Sequence, residues 1–212
     1  DADVTRDHAL RLLSLKPAIM VTTPETSEDR AWHAATVARV LRGDSEAYAE
    51  LIKRHRDRLL RYAVRMLSDA DDAEDVTQET FVRAYRSLAT CADPARFGGW
   101  IFSILANRCR TAGTRRARRE AVFVSTGTDV DRWEQDSTSE PDEADIGASA
   151  RVERAMTQLT AAHREAFLLK YVEDMSYEEI AALTGVGISA LKMRVSRARG
   201  FLRAALSEVC DE

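Results

Sequence analysis

The last helical stretch of the chain combines an apolar stripe with a run of positive charge. Between Ser189 and Arg203 there are five basic residues and no acidic residue. Basic side chains outside the apolar stripe are placed to contact DNA phosphates and the edges of guanine bases. An ordinary solvated helix surface explains the same charges, and taken alone the charges fit both interpretations. The candidate residues for binding duplex DNA are Ser189, Lys192, Arg194, Ser196, Arg197 and Arg199.

A second basic segment follows a group of aromatic residues. Residues 108–119 include six arginines, and no acidic residue lies between Ser103 and Arg119. Aromatic rings beside positive charge suit single-stranded DNA, because unpaired bases stack on the rings while the cations neutralise the phosphates. For Trp100 alone, a place in the hydrophobic core is the better interpretation, whereas the amide of Asn107 suits the edge of a flipped base. The candidates for this surface are Phe97, Trp100, Asn107, Arg108, Arg110 and Arg115.

A third cluster has the opposite charge, with five acidic residues between Asp71 and Glu79. Acidic residues at the start of a helix interact favourably with its dipole, which is a sufficient structural explanation. A metal site or a catalytic carboxylate pair is disfavoured, because no His or Cys lies near in the sequence. We interpret the cluster as a surface that docks on another protein, with Asp72, Asp75 and Glu79 as its candidate residues. No catalytic residue, metal or cofactor is predicted, since the chain has no nucleophile–base pair, phosphate-binding loop or metal-ligand spacing.

The elements that position these residues are predicted to be helices. The chain has 212 residues, of which 45% are hydrophobic and 31% charged, with only 9 Gly and 4 Pro, and this composition favours an all-α fold. One stripe starts after Asp44 and consists of Leu51, Ile52, His55, Leu59, Leu60, Ala63, Val64 and Leu67. A second helix is expected from Asp72 to Leu88, with Val76, Phe81, Ala84, Tyr85 and Leu88 inward. A third follows the loop at Pro94, Gly98 and Gly99, and carries Trp100, Ile101, Ile104 and Leu105.

The C-terminal residues predict a helix-turn-helix. Ser176 and Glu179 have the spacing of a capping box, and Gly185 suits the tight turn after a short helix. A further helix has Leu191, Val195, Ala198 and Leu202 inward. Two stripes precede this arrangement: Val152, Ala155, Met156 and Leu159, then Phe167, Leu168, Tyr171 and Val172. A helix, a turn containing glycine and a second helix form the arrangement with which many proteins enter the major groove.

Residues 121–149 lack helical periodicity and are predicted to form an acidic flexible linker. Between Ser125 and Asp145 eight acidic residues accompany a single Arg, a net charge of −7. The linker either acts as a tether or folds back on the basic surfaces, and the first interpretation is slightly favoured. It joins two small helical domains, residues 31–120 and 150–212, and residues 1–30 are predicted to be an N-terminal extension.

The expected location is the cytoplasm, without insertion into a membrane. No apolar run approaches the roughly 20 residues that a membrane span needs. Arg11 and Lys16 interrupt the apolar residues near the N-terminus, which makes a poor signal peptide. The three cysteines lack metal-ligand spacing, and their odd number fits a reducing compartment better than a disulfide framework.

Several stretches resemble the extracytoplasmic-function (ECF) sigma factors of the sigma-70 superfamily. Residues 72–86 (DAEDVTQETFVRAYR) resemble the family's segment for docking on RNA polymerase, and residues 100–107 (WIFSILAN) look like its promoter-melting helix. Residues 168–181 (LLKYVEDMSYEEIA) and 191–199 (LKMRVSRAR) are similar to its region 4. Together the resemblance covers about residues 44–119 and 150–206, in the order and spacing of the family.

The resemblance implies a promoter-specificity subunit with no catalytic activity of its own. Residues 31–120 would be region 2, and residues 150–212 would be region 4. The implied partners are promoter DNA, core RNA polymerase through the clamp helices of its largest subunit and the flap of its second largest, and an anti-sigma factor. Asp75, Gln78 and Glu79 would face the clamp helices, Phe97, Asn107 and Arg108 would hold the melted −10 strand, and Lys192, Arg194, Arg197 and Arg199 would contact the −35 duplex.

Two other classes of protein fit parts of the same sequence. A helix-turn-helix repressor or activator would bind duplex DNA unaided, and neither the acidic cluster nor the aromatic–basic segment would be needed. An enzyme is disfavoured by the lack of catalytic spacing. Binding to core polymerase discriminates a promoter-specificity subunit from such a helix-turn-helix regulator.

Overall fold

The computed structural model describes the backbone of residues 26–126 and 148–207 and the side chains of residues 26–115 and 151–205. Within these ranges every regular element is a helix and no strand occurs, so the all-α prediction is confirmed. Residues 1–25 of the predicted extension and residues 127–147 of the predicted acidic linker lie outside the described residues. The described backbone shows no helix that combines the length and the apolar character of a membrane span.

The described residues up to Arg118 form one compact unit. Its helices are α1 (Ser27–Leu41), α2 (Ser45–Leu67), α3 (Ala70–Arg86) and α4 (Phe97–Thr126), and two 3-10 turns, Leu88–Thr90 and Pro94–Arg96, connect α3 to α4. The domain boundary predicted at residue 30 lies within α1, and the boundary predicted at residue 120 lies within the backbone of α4.

Helix α1 was not predicted, because its buried side carries a weak apolar pattern. Its buried residues are Val37 and Val40 together with His33 and Thr36, two polar types. Local capping nevertheless defines its start. The Thr26 hydroxyl accepts from the Asp29 backbone N–H, while the Asp29 carboxylate accepts from the Thr26 backbone N–H.

The buried sides of α2 and α3 largely match the predicted stripes, with two corrections. Val64 is 39% exposed, because Tyr62, Ala63 and Met66 provide the buried positions of that turn. Tyr85 is 51% exposed, and its ring packs edge-on against Tyr48, with centroids 4.8 Å apart. The Tyr48 hydroxyl in turn donates to the Phe81 carbonyl at 2.5 Å, which joins α2 to α3.

Two buried histidines lie where α1, α2 and the start of α4 meet. The Nε2 atoms of His33 and His55 are 2.9 Å apart, so one ring donates a hydrogen bond and the other accepts it. The Phe97 ring packs against both, with centroids 6.1 Å from His33 and 5.5 Å from His55. Burial lowers the pKa of His55 to about 3, and the neighbouring His33, Arg58 and Arg54 act in the same direction.

The helices from Ala148 onward belong to a second compact unit. They are α5 (Ala148–Gln158), α6 (Ala161–Tyr171), α7 (Tyr177–Thr184) and α8 (Ile188–Ser207). The predicted inward residues of this unit are buried, except that Tyr171 is half-buried at the edge. Arg164 of α6 stabilises the C-terminal end of α5, because its buried guanidinium donates to the carbonyls of Met156, Thr157 and Leu159.

The predicted helix-turn-helix is formed by α7, the turn at Gly185 and α8. The Ser176 hydroxyl accepts from the Glu179 backbone N–H at 3.1 Å, and the Glu179 carboxylate accepts from the Ser176 N–H at 2.8 Å, so the capping box is confirmed. Gly185 ends α7 in the left-handed region, at φ 71°. Any residue with a Cβ would be strained there, which explains the glycine.

The histidine junction predicts a pH dependence of stability. The folded state lowers the His55 pKa below its usual 6.5, so protons bind the unfolded state more strongly. The free energy of unfolding is therefore expected to fall as pH decreases from 6.5 towards 3, by up to about 1.4 kcal/mol per pH unit. Denaturant unfolding followed by tryptophan fluorescence measures this slope.

The matched variants are His55→Gln and His163→Gln, the second in α6 of the other unit. His55→Gln should flatten the slope of the transition in the first unit, and His163→Gln should leave that slope as in the wild type. An unchanged slope in His55→Gln would contradict the assignment of this pH dependence to the junction.

Candidate nucleic-acid interface

Helix α8 separates its apolar residues from its charges. Leu191, Val195, Ala198 and Leu202 are buried against the rest of the unit. Of the predicted duplex-binding residues, Ser189, Lys192, Ser196 and Arg197 are exposed, and Arg194 and Arg199 are half-buried at the borders of the apolar stripe. The predicted side chains therefore lie together on the outer surface of the second helix of the helix-turn-helix. This surface is cationic and carries no acidic residue from Ser189 to Arg203.

Tyr177 supports one of these cations and was not predicted from the sequence. The Nζ of Lys192 lies 5.7 Å from the centre of the Tyr177 ring, and the Nζ of Lys170 lies 5.1 Å from it. Burial, and secondarily Tyr171, raises the pKa of Tyr177, so its hydroxyl stays neutral beside them. The ring links the first residue of α7 to the outer surface of α8, a contact between helices that periodicity does not indicate.

Helix α4 places most of the predicted strand-binding residues outward, but Phe97 is a correction. Phe97 is 0% exposed and packs on the two histidines and on Trp100, so its ring belongs to the core and offers no surface to a base. Trp100 is half-buried, with one part of its indole accessible. Beyond it along the helix, Asn107 and Arg115 are exposed and Arg110 is half-buried.

Arg108 forms an ion pair with Glu79 and thereby joins α4 to α3. The sequence assigned these two residues to different surfaces, a DNA-binding one and a protein-binding one. The Arg108 side chain is only 27% exposed, whereas that of Glu79 is 58% exposed. The two candidate surfaces of this unit therefore share an edge. Nothing local indicates the pair, because its members are separated by 28 intervening residues.

The acidic cluster lies on the solvent side of α3. Asp72, Asp75, Gln78 and Glu79 are all exposed. Glu74 is exposed as well and forms an ion pair with Arg56 of α2 at 2.6 Å. Val82 is 51% exposed and lies one turn beyond Gln78, so an apolar residue continues this surface. Among the side chains that the structure describes, no group of three or more His, Cys, Asp or Glu is arranged to hold a metal ion.

Known proteins match both units. The family model for Sigma-70 region 2 matches residues 51–119, and that for Sigma-70 region 4 matches residues 149–202. The chain is 31% identical to the RNA polymerase sigma-H factor of Pseudomonas aeruginosa, over 83% of this chain and 94% of that protein. It is 34% identical to the ECF RNA polymerase sigma factor SigE of Mycolicibacterium smegmatis, over 80% of this chain and 66% of that protein.

Among solved structures, the fold is similar to the sigma factor RpoE in complex with the anti-sigma factor NepR from Bartonella quintana. The TM-score is 0.58 at 28% identity, over 76% of this chain and 96% of that one. Both family matches fall on the helices that carry the three candidate surfaces. The chain therefore belongs to the ECF group of the sigma-70 family, and it is an RNA polymerase sigma factor for promoter-specific initiation of transcription.

Proposed function

We propose that this sigma factor uses three separate surfaces: α3 for core RNA polymerase, α4 for the melted −10 strand and α8 for the −35 duplex. The observation that supports the proposal most strongly is the two-sided character of α8. Its apolar side is buried in the core, and its exposed cations and hydroxyls face outward, with Lys192 beside the Tyr177 ring. The second helix of a helix-turn-helix presents such a surface to the major groove.

Within α8, the position of each cation suggests its role. Lys192 lies near the helix start, where side chains approach base edges, and its Nζ is held beside Tyr177. Arg197 is exposed five residues further along the helix. Arg194 and Arg199 border the apolar stripe, and this position suits contacts with phosphates at the two walls of the groove. Ser189 and Ser196 add hydroxyl groups that donate to and accept from bases.

The −10 surface is built on the outward side of α4. A half-buried Trp100 offers part of its ring for stacking, and Asn107 offers an amide to a flipped base. Arg108, Arg110 and Arg115 follow along the helix and neutralise the strand. Phe97 is removed from this set, because its burial assigns it to the core.

The polymerase surface consists of Asp72, Asp75, Gln78 and Glu79. We propose that it binds the clamp helices of the largest subunit, and that the second unit binds the flap of the second-largest subunit. An anti-sigma factor is a further proposed partner, supported by the similarity to a sigma factor in complex with one. The protein would act in the cytoplasm beside the polymerase and would contribute no catalytic group of its own.

A charge reversal tests docking on the polymerase. Asp75→Lys changes an exposed residue outside the Arg108–Glu79 ion pair, so the fold should persist. Affinity for core polymerase should fall by about tenfold, since like charges would face each other in the complex. Asp57→Lys, the same change on the solvent side of α2, is the control and should bind normally. Equal affinities of the two variants, measured by fluorescence titration, would remove α3 from the interface.

A second substitution tests the −35 surface in the holoenzyme. Arg197→Ala should lower transcription from −35-dependent promoters. If the side chain contacts a base, its removal should cost about 1–3 kcal/mol of binding free energy at one base position. If the side chain contacts a phosphate instead, its removal should weaken binding to all sequences alike. It should also reduce the slope of log affinity against log salt concentration by about 0.9. Arg154→Ala, an exposed arginine on α5, is the control. Unchanged transcription with both Arg194 and Arg197 replaced by Ala would show that α8 does not bind the −35 element.

A further inference from the structure

A large apolar side chain stands in the middle of the polar surface of α8. Met193 is 55% exposed, although the exposed residues around it are small, polar or charged: Ser189, Ala190, Ser196 and Arg197. It is two residues from both Leu191 and Val195, which are buried, and two residues correspond to about 200° around an α-helix. Met193 therefore points directly away from the core of the unit.

The residues beside Met193 leave its thioether prominent. Ser189 lies one turn before it, and Ser196 and Arg197 lie one turn after it on the same side of the helix. All three are exposed, and the two serines are short. Single exposed apolar residues are common on protein surfaces and do not by themselves indicate a binding site. Met193 differs because it lies in the second turn of the second helix of a helix-turn-helix, from which side chains contact base edges.

We propose that Met193 contacts the 5-methyl group of a thymine in the −35 duplex and selects that base at one position. This inference rests on the proposed function of α8. In the major groove the thymine methyl is the apolar group that distinguishes one base pair from the other three. A methionine side chain is long, unbranched and polarisable, so it adapts to a methyl group without a fixed geometry. The flanking Ser196 and Arg197 provide hydrogen bonds to the neighbouring pairs.

Selection of promoters by the intact holoenzyme locates the base. Core polymerase and the full chain would transcribe a template library with a randomised −35 region, and the transcribed templates would be sequenced. The wild type should enrich thymine at one position of either strand. Met193→Ala and Met193→Gln should lose that enrichment while the preferences at the other positions stay unchanged, and Met193→Leu should retain most of it.

Replacement of the selected thymine by deoxyuridine then tests the methyl contact itself. Deoxyuridine keeps the base pair and removes only the methyl group. Wild-type holoenzyme should bind the deoxyuridine template about fourfold more weakly, which corresponds to about 0.8 kcal/mol for one buried methyl group. The Met193→Ala holoenzyme should bind both templates equally. Equal binding of both templates by the wild type would overturn the inference.

Two further outcomes separate this inference from the function on which it rests. If Met193→Ala weakens assembly with core polymerase and leaves every base preference unchanged, Met193 contacts protein and the inference is wrong. Arg197→Ala is measured in parallel on the same templates. Loss of −35 selection with Arg197→Ala, together with unchanged selection in Met193→Ala, overturns the methionine contact alone. Unchanged selection in both variants overturns the assignment of α8 to the −35 duplex as well.

Discussion

The contact of Phe97 with the buried pair His33 and His55 is the interaction on which the first unit depends. It brings the start of α4 against α1 and α2, and burial keeps the imidazole of His55 neutral. Since Phe97, Ile101 and Leu105 are fully buried, the rotation of α4 about its axis is fixed. Asn107 and Arg115 must then face solvent, and Arg108 must face α3, where it meets Glu79. The surface proposed for the melted strand follows from the packing of the opposite side.

In the second unit, too, burial of one side of a helix determines which residues its other side presents. Four residues of α8 are buried at helical spacing, and the left-handed Gly185 together with the Ser176 capping box sets the path from α7 into α8. Arg164 satisfies three backbone carbonyls between α5 and α6, a role that a smaller side chain could not fill. With the apolar side closed, the cations and Met193 of α8 remain available for a ligand. Fold and recognition are thus assigned to opposite sides of one helix.

Features that depend on neighbours in the sequence were predictable, and those that depend on distant residues were not. The capping box, the turn glycine and the stripe of α8 are local, and the structure confirms each. Helix α1 was missed because His33 and Thr36 occupy buried positions that the pattern treats as polar. Phe97 was wrongly placed on the DNA surface because an aromatic residue beside basic ones fits both a core and a stacking role. The Arg108–Glu79 pair requires the packing of α3 on α4, which no spacing indicates.

Permanganate reactivity of promoter thymines shows directly whether this one chain joins polymerase binding to promoter opening. Fragments that carry a promoter selected by the holoenzyme would be treated with core polymerase, with the chain, or with both. Reactive, unpaired thymines are expected around a single −10 element only when both are present. If the chain protects duplex DNA without polymerase, and adds neither reactive thymines nor a specific transcript with it, the chain does not open promoters through the polymerase.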